Sequence, residues 1–217
     1  DTTLAVSVLN TLDGNTTGVV NAATVTTLTG SPTDINTAYG SNGITGLSGD
    51  EAITATGTIT VSEVNALATK TNGTVTATIT DGDLVTLVGL NRSGAYTITI
   101  TDATVAVTDL NSIDGLTSVV VDASAINTLT GTAADCSTAY ASDGITGLGD
   151  ETITLSDTTL AASVLNDLDS NTSGTIDATS VTTLTGTAAD CNTAYASAGI
   201  AGLGNEAVTI SDTSLAV

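Results

Sequence analysis

A chain of 217 residues with 23 acidic and only 2 basic side chains carries a formal net charge of −21. That balance argues against nucleic acid and anionic membrane surfaces as partners, since both are held by clustered Lys and Arg. The absence of His removes the ordinary Ser-His and Cys-His pairs, whereas 41% hydrophobic residues and a mean hydropathy of +0.34 separate the chain from a disordered acidic tail.

From the first residue, DTTLAVSVLNTLDGNTTG places Leu9 and Leu12 at i, i+3, the spacing of one helix face. Val19-Val20 follows as a strand. LTGSPTDINTAYGSNGITGLSGDEAIT, from Leu28, leads to Ile53 to Val61, a run of Thr alternating with apolar residues that predicts a second strand. The same signals continue down the chain, with helices at Val64/Leu67, Leu84/Leu87, Leu110/Ile113 and Leu165/Leu168. Strands fall at Val75 to Thr80, Tyr96 to Thr101, Val119 to Val121, Thr152 to Leu155, Thr175 to Ala178 and Val208 to Ile210. Thr80-Asp81, Thr101-Asp102, Ser156-Asp157 and Ser211-Asp212 stand ahead of several helical stretches and are expected to cap them. No run of about 18 apolar residues is present to span a membrane.

The helix and strand signals recur because the sequence does. LTGTAADCSTAYASDGITGLGDETIT, from Leu129, returns as LTGTAADCNTAYASAGIAGLGNEAVT from Leu184, and DTTLAVSVLNTLDGNTTG returns as DTTLAASVLNDLDSNTSG from Asp157. Self-similarity at this period marks a solenoid, in which no unit buries its apolar face alone. The predicted fold is therefore α/β: residues 1–217 form one solenoid segment of about eight coils, each with one strand stacked in parallel and one short helix. An all-β solenoid is the alternative. The unit of 55 residues is clearest at 129–217. Val181, Leu184, Ala188, Cys191 and Tyr195 suit one long helix, but Gly186 and the weak capping box from Thr187 to Asp190 predict a break into two helical segments. The chain ends nearly where it begins in the repeat, DTTLAV against DTSLAV, as expected of a piece of a longer periodic protein.

Candidate sites are few. Asp169, Asn171, Ser173 and Asp177 open a D-x-N-x-S-G-x-I-D stretch, and Asp13, Asn15 and Thr17 repeat its first half. Oxygen ligands at alternate positions suit calcium, although the twelfth position holds Ser180 or Thr24 in place of a bidentate carboxylate. No other cofactor and no catalytic constellation are predicted. Gly49-Asp50-Glu51, Gly149-Asp150-Glu151 and Gly204-Asn205-Glu206 are expected to line one side as a row of solvated charge. Cys136 and Cys191 occupy equivalent positions where the first copy has Ile35, which predicts buried thiols rather than a disulfide. About one residue in five is Thr, much of it as T-x-T in strands. Stacked in parallel, these form ladders like the flat Thr arrays of ice-binding solenoids.

The wording LTGTAADCNTAYAS, with GLGNEAVTISDTSLA and SVLNDLDSNTSGTIDATSVTT, resembles very large tandem-repeat proteins of bacteria, marine cyanobacteria in particular. The resemblance is clearest over residues 1–56 and 117–217. It implies an extracellular or cell-surface structural protein, a filament, stalk or surface-layer element, and supplies no catalytic residues. The expected partner is the chain's own continuation or a second copy stacked end to end. Calcium-dependent adhesion and ice binding are the alternatives.

Overall fold

The computed structural model describes residues 2–213, so Asp1 and residues 214–217 of the matching end segments lie outside the described residues. Chain order gives β1 (Thr3–Ala5), α1 (Val6–Gly14), β2 (Val20–Asn21), β3 (Thr27–Gly30), α2 (Pro32–Gly40) and β4 (Ile44–Thr45). The middle continues with β5 (Ala52–Ile59), α3 (Val61–Ala68), β6 (Val75–Ile79), α4 (Leu84–Leu87) and β7 (Ala95–Thr97). A second copy of the opening pattern follows: β8 (Thr104–Ala106), α5 (Val107–Asp114), β9 (Val121–Asp122), β10 (Thr128–Gly131), α6 (Ala133–Ala141), β11 (Ile145–Thr146) and β12 (Thr152–Leu155). A third consists of β13 (Thr159–Ala161), α7 (Ala162–Asp169), β14 (Ile176–Asp177), β15 (Thr183–Gly186), α8 (Ala188–Ala196), β16 (Ile200–Ala201) and β17 (Ala207–Ile210).

The protein is mixed α/β with parallel sheets. Its described residues fall into two compact units, 2–99 with Ile113–Val121 and Ile100–Ser112 with 122–213. In the first, β1-β3-β5-β6-β7 make one sheet and β2-β4 a second. In the second, β8-β10-β12-β14-β16 and β13-β15-β17 do the same. Thr104 pairs with Thr128 and Thr128 with Thr152, each a step of 24 residues. Seven residues after Thr152, Thr159 opens β13 and pairs with Thr183. Two 24-residue steps and one seven-residue step thus compose the 55-residue repeat.

All five helix faces read from the sequence are helices, and all eight predicted strand slots hold strands. The expected single strand per coil is corrected to two. TLTG, at Thr27–Gly30, Thr128–Gly131 and Thr183–Gly186, is a strand in each copy rather than the first of two helical segments. Thr at alternate positions favours an extended backbone, and Leu28, Leu129 and Leu184 then point into the core, fully buried. The break after Gly186 is as predicted: Thr187 caps α8 by accepting from the Asp190 amide at 3.0 Å, as Ser31 and Thr132 do for α2 and α6 at 3.1 Å.

The Thr/Ser-Asp pairs cap in a different place from the one expected. α7 begins at Ala161 without a side-chain cap. Asp157 instead accepts from the Ala133 amide at the start of α6, the preceding helix, at 2.7 Å. Asp81 does so for Val61 of α3 and Asp212 for Ala188 of α8, also at 2.7 Å. Helices α3, α6 and α8 therefore each receive two caps, one local and one from 20 to 24 residues further on.

Asparagines bridge neighbouring helices at the same offset. The Asn10, Asn65, Asn111 and Asn166 amides donate to the carbonyls of Asp34, Gly89, Asp135 and Asp190, each 24 residues on, at 2.8 to 3.0 Å. The core between these contacts is built of Val, Ile, Leu and Ala, with Tyr96 as its one fully buried aromatic.

Candidate functional site

Three of the four tyrosines recur at one repeat position in helices α2, α6 and α8, and each reaches the glutamate of the following Gly-rich loop. Tyr39 Oη donates to Glu51 Oε2 at 2.7 Å and Tyr140 Oη to Glu151 Oε2 at 2.8 Å; Tyr195 Oη donates to Glu206 Oε1. Loop amides complete the cradle: Ser48 and Gly49 donate to Glu51, Gly149 to Glu151, and Gly204 and Asn205 to Glu206. The loop turns sharply just before, where Gly46, Gly147 and Gly202 hold φ of 85°, 89° and 87°, a left-handed conformation that a Cβ would oppose.

The predicted row of solvated charge is thereby corrected. Glu51 and Glu151 are 2% and 0% exposed. A carboxylate enters the interior here because convergent donors replace its water. Of the acidic side chains in those two loops, the neighbouring Asp50 and Asp150 are the ones that face solvent.

Burial pushes the Tyr39 and Tyr140 hydroxyls above their ordinary value, and the bonds to Glu51 and Glu151 add to it. Tyr195 is pushed up to about 12, chiefly by its bond to Glu206. Burial works to raise Glu51 and Glu206, but donation from the tyrosine and the loop amides outweighs it and holds both below the ordinary carboxylate value. Tyr39 and Tyr195 stay protonated and Glu51 and Glu206 ionised at neutral pH, the reverse of a pair poised to exchange a proton.

Neighbouring chain segments lock onto the Glu51 and Glu151 cradles. The Thr172 hydroxyl, itself buried, donates to the Glu151 carbonyl at 2.8 Å, and Thr71 donates likewise to the Glu51 carbonyl. Gly174 passes so close that a Cβ there would stand 2.2 Å from the Glu151 carbonyl oxygen. Arg92 serves the irregular middle in a related way, its guanidinium donating to the Ala68, Thr71, Asn72 and Gly73 carbonyls that end α3.

The residues read as calcium ligands are engaged with separate partners. Asp13 accepts from the Ser41 hydroxyl and Asp169 from the Ser197 hydroxyl, both at 2.6 Å and 28 residues on. Asp177 accepts from the amide of Thr179 at 3.0 Å. The backbone amides of Asn15 and Asn171 donate to Leu12 and Leu168 as the helices end, Thr17 is exposed, and the Ser173 amide donates to Gly149. Among the described residues no group of three or more His, Cys, Asp or Glu is placed to hold a metal ion. Cys136 and Cys191 are free and buried, and burial pushes the Cys136 thiol up to about 12. No helix among the described residues is long and apolar enough to cross a bilayer.

The tyrosine–glutamate pairing was within reach of the sequence: a Tyr recurs 11 or 12 residues before each loop Glu, in a chain with only four tyrosines. No protein-family model, curated protein or solved structure matches the chain.

Proposed function

We propose that this chain is a solenoid segment of an extracellular filament, stalk or surface-layer protein, whose work is mechanical and whose rungs stack by continuation of the same chain or by a second copy. The observation that carries this reading is the recurrence of one set of bonds at fixed offset. Asn10, Asn111 and Asn166 donate 24 residues ahead, and Asp13 and Asp169 accept from 28 residues ahead. Each rung holds the next by the same contacts, which is how a repeat array gains stability from neighbours rather than from one central core.

Inserting one and then two further copies of residues 102–156 between Ser156 and Asp157 tests it. The melting temperature is expected to rise with each added unit, and electron micrographs to show particles lengthened in equal steps. An insertion that melts earlier or leaves particle length unchanged rejects the array.

Ice binding is favoured by one observation of its own. Thr104, Thr128 and Thr152 stand in register, as do Thr58, Thr78 and Thr97. Such columns repeat at roughly the 4.8 Å strand spacing. Thermal hysteresis that disappears on replacing Thr128 with Lys would establish that reading; none at millimolar protein would remove it.

A further inference from the structure

β12 and β17 are the same strand in successive repeats, yet Ile153 and Leu155 are 0% and 2% exposed whereas Val208 and Ile210 are 43% and 41% exposed. What covers β12 is visible. β14 pairs along it, Ile176 opposite Ile153 and Asp177 opposite Thr154, and α7 packs against α6. The counterparts of β14 and α7 in the first copy are β2 and α1, and their matching faces are bare. β2 ends its sheet, with β4 on one side. Leu168 of α7 is fully buried, but Leu12, the same residue in α1, is 52% exposed and Val8 is 58% exposed. These two side chains line an open groove of about 360 Å³ with Ser7, Thr11 and Asn15.

We propose that a second copy of this chain docks on that face. β17 of one copy pairs in parallel with β2 of the next, Val208 opposite Val20 and Thr209 opposite Asn21, while α8 seats on Val8 and Leu12 of α1. The proposal rests on the stacked-rung reading, because the occupant is identified by continuity with an interface inside the chain. LTGTAADCSTAYAS of the α6 segment already packs against SVLNDLD of α7, and the two bare faces carry LTGTAADCNTAYAS and SVLNTLD. The contact is head to tail and does not close on itself, so it continues into longer assemblies. A charge of −21 on each copy opposes it at low salt.

Sedimentation velocity of the full chain tests the docking. Raising NaCl from about 20 mM to about 500 mM shortens the screening length from roughly 20 Å to under 5 Å. The apparent dissociation constant is expected to fall at least tenfold, on the order of 1.4 kcal/mol. Chains carrying Thr209→Cys, mixed under oxidation with chains carrying Asn21→Cys, are expected to give disulfide-linked dimers that neither gives alone. The native thiols are buried and do not compete. Val8→Asp with Leu12→Asp is expected to abolish association while circular dichroism stays unchanged. A chain that remains monomeric at every salt concentration, or cross-links equally well unmixed, overturns the docking. If longer arrays still gain stability unit by unit, that failure belongs to the junction and the array stands. If they do not, the array itself has failed.

Discussion

The later parts of the second and third copies of the repeat, residues 128–156 and 183–211, differ at seven positions in sequence and widely in burial. Tyr140 is half-buried and its counterpart Tyr195 exposed; Glu151 is buried and Glu206 only partly so; Ile153 and Leu155 are covered while Val208 and Ile210 are open. Corresponding residues in the same secondary-structure elements therefore have different environments, set by whether a further segment lies against them. Burial at these positions follows adjacency, as the proposed stacking of repeats requires.

Paired substitutions turn that contrast into numbers. Ile153→Ala is expected to cost about 2–4 kcal/mol by leaving a cavity, and Val208→Ala no more than about 0.5 kcal/mol, read as the difference in urea unfolding. A result in which both cost the same would erase the distinction between the copies. Gly174→Ala forces a Cβ onto the Glu151 carbonyl and is expected to cost about 1–3 kcal/mol. At Gly18, its counterpart in the first copy, the nearest atom is the Thr16 hydroxyl at 3.3 Å, and the same change is expected to fall within about 0.5 kcal/mol. Tyr140→Phe deprives a fully buried carboxylate of a donor at a cost of about 1–3 kcal/mol. Tyr195→Phe is expected to cost less than about 1 kcal/mol, since water replaces the lost bond.

Titration sharpens the contrast further. Glu51 and Glu206 are held below their ordinary value of 4.5, so their contribution is complete above that pH and is lost as pH falls through the folded values. Tyr39, Tyr140 and Tyr195 are raised above 10, so theirs is complete below pH 10 and is lost as pH rises through the folded values. For Tyr195 that window runs from 10 to about 12. Melting temperature against pH should fall on both sides, and Tyr140→Phe should flatten the alkaline limb more than Tyr195→Phe. The smallest expected effect is that of chelator: with Asp13 and Asp169 already bonded to serine hydroxyls, removing calcium is expected to leave the melting temperature within about a degree. A fall of several degrees would restore the calcium reading of the Asp169 to Asp177 turn, because a bound ion stabilises the folded state by mass action.

Most of the helices and the parallel pairing were legible because both depend on short-range patterns. Leu165 with Leu168 marks a helix face, and Thr alternating with Ile over Thr152 to Leu155 marks a strand, whatever lies beyond them. The TLTG strands were misread because apolar residues at Val181, Leu184 and Ala188 fit a helical spacing, and the spacing alone carries no penalty for Thr between them. The capping aspartates were assigned to the wrong helix for a different reason. An Asp just ahead of a helical stretch is a local signal, but the carboxylate of Asp157 has a better use on the amide of Ala133, which lies close in space and 24 residues away in sequence. Leu12 shows the limit of local patterning from the other side. Its spacing from Leu9 predicts burial, and the structure leaves it half exposed for want of a neighbour.

Those long-range caps also bear on the order in which the protein is made. The amide of Ala133 waits for Asp157, and that of Ala188 for Asp212, so each of these helices emerges from the ribosome with its first amide unanswered until another 24 residues have followed. Synthesis then runs ahead of consolidation by 24 residues, and the nascent end of the growing chain is always its softest part.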